Sequence, residues 1–362
     1  MDPGTFDENK LTQIRSAGVN RLSLGVQSFD KEVLQKCGRA HTVEDVARAL
    51  RLVTASEFKD NFSIDLISSL PGLTIELWQE TLQKAANSGC SHISVYDLQV
   101  EDKTAFGRWY SPGVFPLPTD EQSALMYCRA AEILNLSGFE HYEVSNYARP
   151  GKRSQHNQRY WGCKPTWGFG MGAASYINNN RYTRPDKMGE YSQWVDELEI
   201  HGFTMSTIQD EDDDDDKDEK PKSSTAKDIG DNSEESDDDG GELIVSPDIS
   251  SPPESADILE VVMLALRTSD GLSLGNLGKE YGALSVEKVI QAVQPFVDRG
   301  LMTIRSDSGD DILGDSTQKG PHYESQSGSG RIPSDGRIRL TDPQGFLVSN
   351  DIISSVFVEL TC

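Results

Sequence analysis

No pair among the five cysteines, Cys37, Cys90, Cys128, Cys163 and Cys362, has C-x-x-C spacing. Their odd number and wide scatter offer neither a readable disulfide framework nor a zinc site, so reduced thiols in an intracellular compartment are expected. No apolar run reaches the 18 residues that a transmembrane helix requires. Basic residues are scarce: 34 Lys and Arg face 59 Asp and Glu, for a formal net charge of -25. Such a polyanion disfavours non-specific binding to nucleic acid or to anionic membranes. Hydrophobic residues make up only 36% of the chain, but the deficit is local. Between Asp210 and Glu242, 17 acids and four lysines give a net charge of -13, which leaves -12 for the other 329 residues. Outside that segment the chain can bury a real core, and 362 residues suffice for two domains. The opening Met1-Asp2-Pro3-Gly4-Thr5 has no signal or transit character. Cys362 stands at the terminus, not four residues before it, so it forms no prenylation box.

From Glu8 to about Tyr147 one grammar repeats. An apolar stripe through Leu11 and Ile14 predicts a helix that stops at Gly18, and Val19–Val26 follows as a strand. Thr42 and Asp45 form a capping-box pattern for the next helix. Phe62–Leu70 predicts a second strand, Thr74 opens another helix, and His92–Leu98 is a third strand. Thr119 and Gln122 cap a further helix, and His141–Ser145 is a shorter strand. Strands alternating with helices at a repeat in the middle thirties are parallel βα units, and nearly continuous apolar strands imply burial on both faces. The fold class expected is α/β, a parallel barrel cut open, over residues 1–147. Residues 148–203 read as a loop-rich lobe, and 204–254 as an acidic disordered linker. Residues 255–362 read as a small winged-helix-like α+β domain carrying a polar insert at 306–336.

Polar residues punctuate the strand ends one βα unit apart: Gln27, Asp65 and Gln99. In a parallel βα barrel the carboxyl ends of the strands line the active site, so these could converge on one ligand. Arg39, in the loop after the first strand, could take a carboxylate bidentately. The bland alternative is that the glutamines bond loop backbone and Asp65 satisfies a neighbouring strand. A second constellation is Ser154-Gln155-His156-Asn157-Gln158-Arg159-Tyr160-Trp161, followed by Trp167, Gly168, Gly170 and Gly172. It combines a candidate axial ligand with flat aromatic surface, as a porphyrin pocket needs. His41 offers the same option. Packing roles account equally for both histidines, and the glycines lack the Lys-Ser/Thr of a P-loop.

The strings Asn20–Phe29, Cys37-Gly38-Arg39-Ala40-His41, Ile64-Asp65-Leu66-Ile67 and His156–Trp161 resemble the HemN/HemW group of radical S-adenosylmethionine proteins. The H-N-x-x-Y-W string, with Leu266-Arg267, Gly300-Leu301 and Arg339-Leu340-Thr341, resembles its haem-chaperone branch. The likeness covers about residues 1–203 and 254–360. It implies a partial (β/α)6 barrel followed by a small helical domain. It further implies S-adenosylmethionine contacts from Gln27, Arg39 on the methionyl carboxylate, Asp65 on the ribose, and Gln99 near the adenine through its backbone. His156, Asn157, Tyr160 and Trp161, with His41, become haem candidates.

The departure from this group is large. Its members hold a [4Fe–4S] cluster by C-x-x-x-C-x-x-C after the first barrel strand, and this sequence has no such motif. No cluster is expected in this chain, which reads as an N-terminally truncated member with an open, aggregation-prone strand edge. The function implied is HemW-type handling of haem or porphyrin, with haem-accepting proteins as further partners. A second reading is an oxygen-independent coproporphyrinogen III dehydrogenase, and a third is a non-catalytic interaction fragment. The compartment implied is the cytoplasm, or an organelle if a transit peptide lies upstream. A DNA role is not expected, because the third helix of the terminal module sets Glu287 and Asp298 against Lys288 and Arg299.

Overall fold

The computed structural model describes residues 1–101, 104–201, 257–306 and 336–361. The expected linker at 204–254 and nearly all of the insert at 306–336 lie outside these residues. The chain forms two compact units, Met1–Cys163 together with Asp257–Cys362, and Lys164–Ala256. The division falls after the H-N-x-x-Y-W string, so that string belongs with the barrel and not with the lobe expected to start at 148.

The first unit opens with α1 (Glu8–Ser16), β1 (Leu22–Gln27), α2 (Lys31–Lys36), α3 (Val43–Thr54), β2 (Phe62–Ser68), α4 (Ile75–Ala86) and β3 (His92–Asp97). Then come α5 (Ala105–Trp109), α6 (Asp120–Leu136), β4 (Glu140–Glu143), β5 (Asn146–Ala148) and α7 (Gln155–Trp161). Both capping boxes form, Thr42 with Asp45 on α3 and Thr119 with Gln122 on α6, and Thr74 caps α4. Each cap satisfies amides that the first helical turn leaves without partners. The outer faces of β1 and β2 bury Leu22, Leu24, Val26, Phe62, Ile64 and Leu66 under Val46, Ala49 and Val53 of α3 and Trp78 and Leu82 of α4. Trp78 donates its indole N–H to the Met126 carbonyl at 2.8 Å, tying α4 to α6.

The sheet order is β1-β2-β3-β5-β4, with β1, β2 and β3 parallel as expected. The fourth strand departs from the expectation. β4 does not pair with β3; it turns tightly into β5, which inserts antiparallel between the two. At β4's far edge, the Val144 N–H donates to the Arg267 carbonyl at 3.1 Å and the Ser269 N–H to the Tyr142 carbonyl at 2.9 Å. The other edge is not bare either. The Met1 ammonium donates to the Ser23 carbonyl at 2.6 Å and the Gly25 N–H to the Met1 carbonyl at 3.1 Å, one rung of a parallel ladder along β1.

The second unit contributes β6 (Ala174–Ile177), β7 (Asn180–Thr183) and α8 (Met188–His201), the first two forming an antiparallel hairpin. The chain then returns to the first unit with α9 (Ile258–Leu266), β8 (Leu272–Ser273), α10 (Leu274–Tyr281), α11 (Ala283–Asp298), β9 (Met302–Ser306), β10 (Gly336–Leu340), α12 (Gln344–Leu347) and α13 (Ser349–Thr361). Its three-stranded antiparallel sheet, β8-β10-β9, and this helix-strand-helix-helix-strand-strand order are winged-helix-like. The short β8 was not legible, because two residues carry no period.

Candidate functional site

The strand registers set Gly25, Asp65, Ser94, Asn146 and Glu143 side by side, one from each strand of the main sheet. Residues paired across a ladder share a face, so these five form one row on the face opposite the helices. Asp65 accepts from Ser23 Oγ at 2.7 Å, and Ser63 Oγ donates to Ser23 Oγ at 2.9 Å. Gln27 ends β1 with φ of 65°. Its side chain folds back over Gly25, where a Cβ would stand 3.0 Å from the Gln27 amide nitrogen. Its Oε1 is buried and has no partner. Gln27 and Asp65 are therefore brought to the same glycine. Arg39 is not: it is exposed on the loop after α2, and its guanidinium makes no hydrogen bond or ion pair among the described residues. Gln99 is exposed beyond β3, on the wall of a cleft of about 640 Å³ shared with Asp97, Glu143, Asn157, Trp161 and Arg267.

Sequence reasoning missed the centre of this arrangement, Glu143. Its carboxylate is only 2% exposed, and burial raises its pKa against the pull of its hydrogen bonds. It accepts from the side-chain amide of Asn146, from the indole N–H of Trp161, and from Asn157 Nδ2 at 3.4 Å. A register shift between His141 and Glu143 turns Tyr142 and Glu143 toward α7 together, although neighbours on a regular strand face opposite ways. Tyr142 Oη accepts from the Ser154 N–H at 3.3 Å at the N-cap of α7, and meets His92 Nε2 at 2.8 Å. His92 is buried, its Nδ1 has no partner, and burial followed by the charge of Arg21 lowers its pKa to about 3. The sequence signal for Glu143 was present, a carboxylate inside the strand run His141–Ser145.

The haem candidates separate. Asn157 and Trp161, one helical turn apart, face Glu143. His156 and Tyr160, also one turn apart, are exposed and stack edge to face with ring centroids 4.7 Å apart at 87°. His41 is buried, its Nε2 donating to the Val26 carbonyl at 3.2 Å, so the structure gives it a packing role at the end of β1.

The four described cysteines do not fit a [4Fe–4S] cluster. Cys37 just after α2, Cys90 between α4 and β3, Cys128 within α6 and Cys163 after α7 are free thiols. Burial pushes Cys37 and Cys90 up to about 11. Among the described residues no three His, Cys, Asp or Glu side chains gather as a metal site.

The radical SAM superfamily model matches residues 2–85. A heme chaperone HemW from Synechocystis is 33% identical over 360 residues, 99% of this chain and 74% of that protein. The chain belongs to the HemW family of radical S-adenosylmethionine proteins. The HemW of Bacillus subtilis is 37% identical over 202 residues, covering 56% of this chain and 52% of its own length. The coproporphyrinogen III oxidase HemN of Escherichia coli, described as a radical SAM enzyme, superposes with a TM-score of 0.65 at 19% identity. That match covers 98% of this chain and 68% of HemN, and it shows a shared fold. No described helix is long and apolar enough to cross a membrane.

Proposed function

We propose that this HemW-family chain binds haem through the outer face of α7 and assembles no [4Fe–4S] cluster from its own cysteines. The observation that carries the reading is the division of the H-N-x-x-Y-W string into an anchoring pair, Asn157 and Trp161, and a presenting pair, His156 and Tyr160. An exposed imidazole backed by an aromatic edge is an axial ligand that a haem can reach and leave, which suits transfer to an accepting protein. Titration with ferric haem is expected to give a Soret band that His156→Ala weakens at least tenfold. An unchanged titration would refute the assignment. Anaerobic treatment with iron and sulfide is expected to yield no stoichiometric [4Fe–4S] absorbance.

S-adenosylmethionine is the second proposed ligand. Asp65 is the acceptor for the ribose hydroxyls, and the unpartnered Gln27 oxygen is a further acceptor on the same face. Arg39 would reach the methionyl carboxylate from its exposed loop, and the chain near Gln99 would pass the adenine. Bound there, S-adenosylmethionine would supply a reductively cleavable carbon–sulfur bond; these residues would only bind and orient it. Equilibrium dialysis with radiolabelled S-adenosylmethionine is expected to show binding that Asp65→Ala abolishes. Binding unaffected by that change would remove Asp65 from the site. We place the protein in the cytoplasm or an organelle, a reading that the mitochondrial relatives support.

A further inference from the structure

The helix that presents His156 has little of its own to hold it. α7 is seven residues long and contains no buried residue. Isolated helices of that length do not persist in water, and burial of an apolar face is what usually secures a short one. Here three side-chain amides and indoles converge instead on one carboxylate, two of them from α7. A carboxylate only accepts hydrogen bonds, so it alone among side chains of this size can face three N–H donors without a clash of donors. The bulge in β4 that brings Tyr142 and Glu143 to the same side adds a second tether, at the N-cap through Ser154.

We infer that Glu143 is a positioning residue for haem: it locks the inner face of α7 so that His156 and Tyr160 are held outward in binding geometry. The inference rests on the proposed haem reading of α7. Glu143 touches no ligand in this account; it acts through Asn157 and Trp161. Glu143→Gln keeps the shape but turns an NH2 toward N–H donors, which frees the helix from the strand.

The test is a double-mutant cycle on the full chain with ferric haem as the probe, read at the Soret band, using Glu143→Gln, His156→Ala and the two combined. Hydrogen exchange of the amides at 154–162 is followed in the haem-free proteins. Glu143→Gln is expected to weaken haem about tenfold, the scale of one charge-assisted hydrogen bond, and to cost less than about twofold once His156 is gone. Exchange at 154–162 is expected to quicken while the core strands keep their protection. Equal losses in both backgrounds would overturn the inference, because Glu143 would then act elsewhere, and so would unchanged exchange in α7. If His156→Ala binds haem like the wild type, the haem reading fails, and the exchange data alone then decide whether Glu143 holds the helix. Should Glu143→Gln fail to fold, Trp161→Phe, which deletes one of the donors, replaces it in the same cycle.

Discussion

His92 makes the stability of the sheet depend on pH in a calculable way. It is 3% exposed, its Nε2 meets Tyr142 Oη at 2.8 Å, and its Nδ1 has no partner to receive a second proton. Burial first, and the nearby Arg21 second, lower its pKa from 6.5 to about 3. The unfolded chain therefore binds a proton between these values that the folded chain refuses. Stability from this group is fully present above pH 6.5 and is lost as the pH falls toward 3. Between about pH 7 and about pH 4 the linkage amounts to about 3 kcal/mol. The perturbation is His92→Gln, which can still bond Tyr142 but does not titrate. Urea unfolding of wild type and variant across this range gives a difference in which titrations common to both proteins cancel, those of the carboxylates included. The wild type is expected to lose about 3 kcal/mol relative to the variant on acidification. A difference that stays flat across this range would refute the claim that His92 is held neutral by burial.

Glu143 runs the other way: its folded pKa is raised, so the folded chain takes up its proton first. The wild type is expected to gain stability relative to Glu143→Gln as the pH falls from neutrality toward 4.5, as read from paired melting curves. Gly345→Ala would set a Cβ 2.2 Å from the Leu301 carbonyl oxygen. The expected cost is about 3 kcal/mol, visible as faster hydrogen exchange in β9 and β10. Trp78→Phe removes the indole donor to Met126 and leaves a gap between α4 and α6, at an expected cost of about 2 kcal/mol in thermal unfolding.

Most of the barrel elements were legible because their signals are local. Thr42 with Asp45 and Thr119 with Gln122 announce helix starts within four residues, and an apolar run such as Phe62–Leu70 announces a strand. The parallel pairing of β1, β2 and β3 follows from the same spacing. β5 was not legible, because its three residues lie beside a strand that the βα repeat assigns to parallel pairing. Register is a property of two segments, and only the sheet reveals that Asn146 stands between Ser94 and Glu143. The candidate site divides on the same line. Gln27, at the end of β1, and Asp65, in the middle of β2, could be matched by their spacing of one βα unit, and the fold brings both to Gly25. Arg39 lies on an exposed loop, whose course strand spacing does not determine. That Asn157 and Trp161 both bond Glu143 is visible only in the fold, because Glu143 comes from another element.

The hydrogen bonds from Val144 to Arg267 and from Ser269 to Tyr142 also set an order of events during synthesis. The last strand of the barrel sheet finds its outer partner only after the ribosome has delivered residues 267–269, with the whole acidic segment already made. Until then Tyr142 and Val144 keep unpaired backbone groups, and the nascent sheet ends on an open strand. A fragment stopping near residue 201 would stay in that condition permanently, so it is expected to associate through β4 where the longer chain stays dispersed.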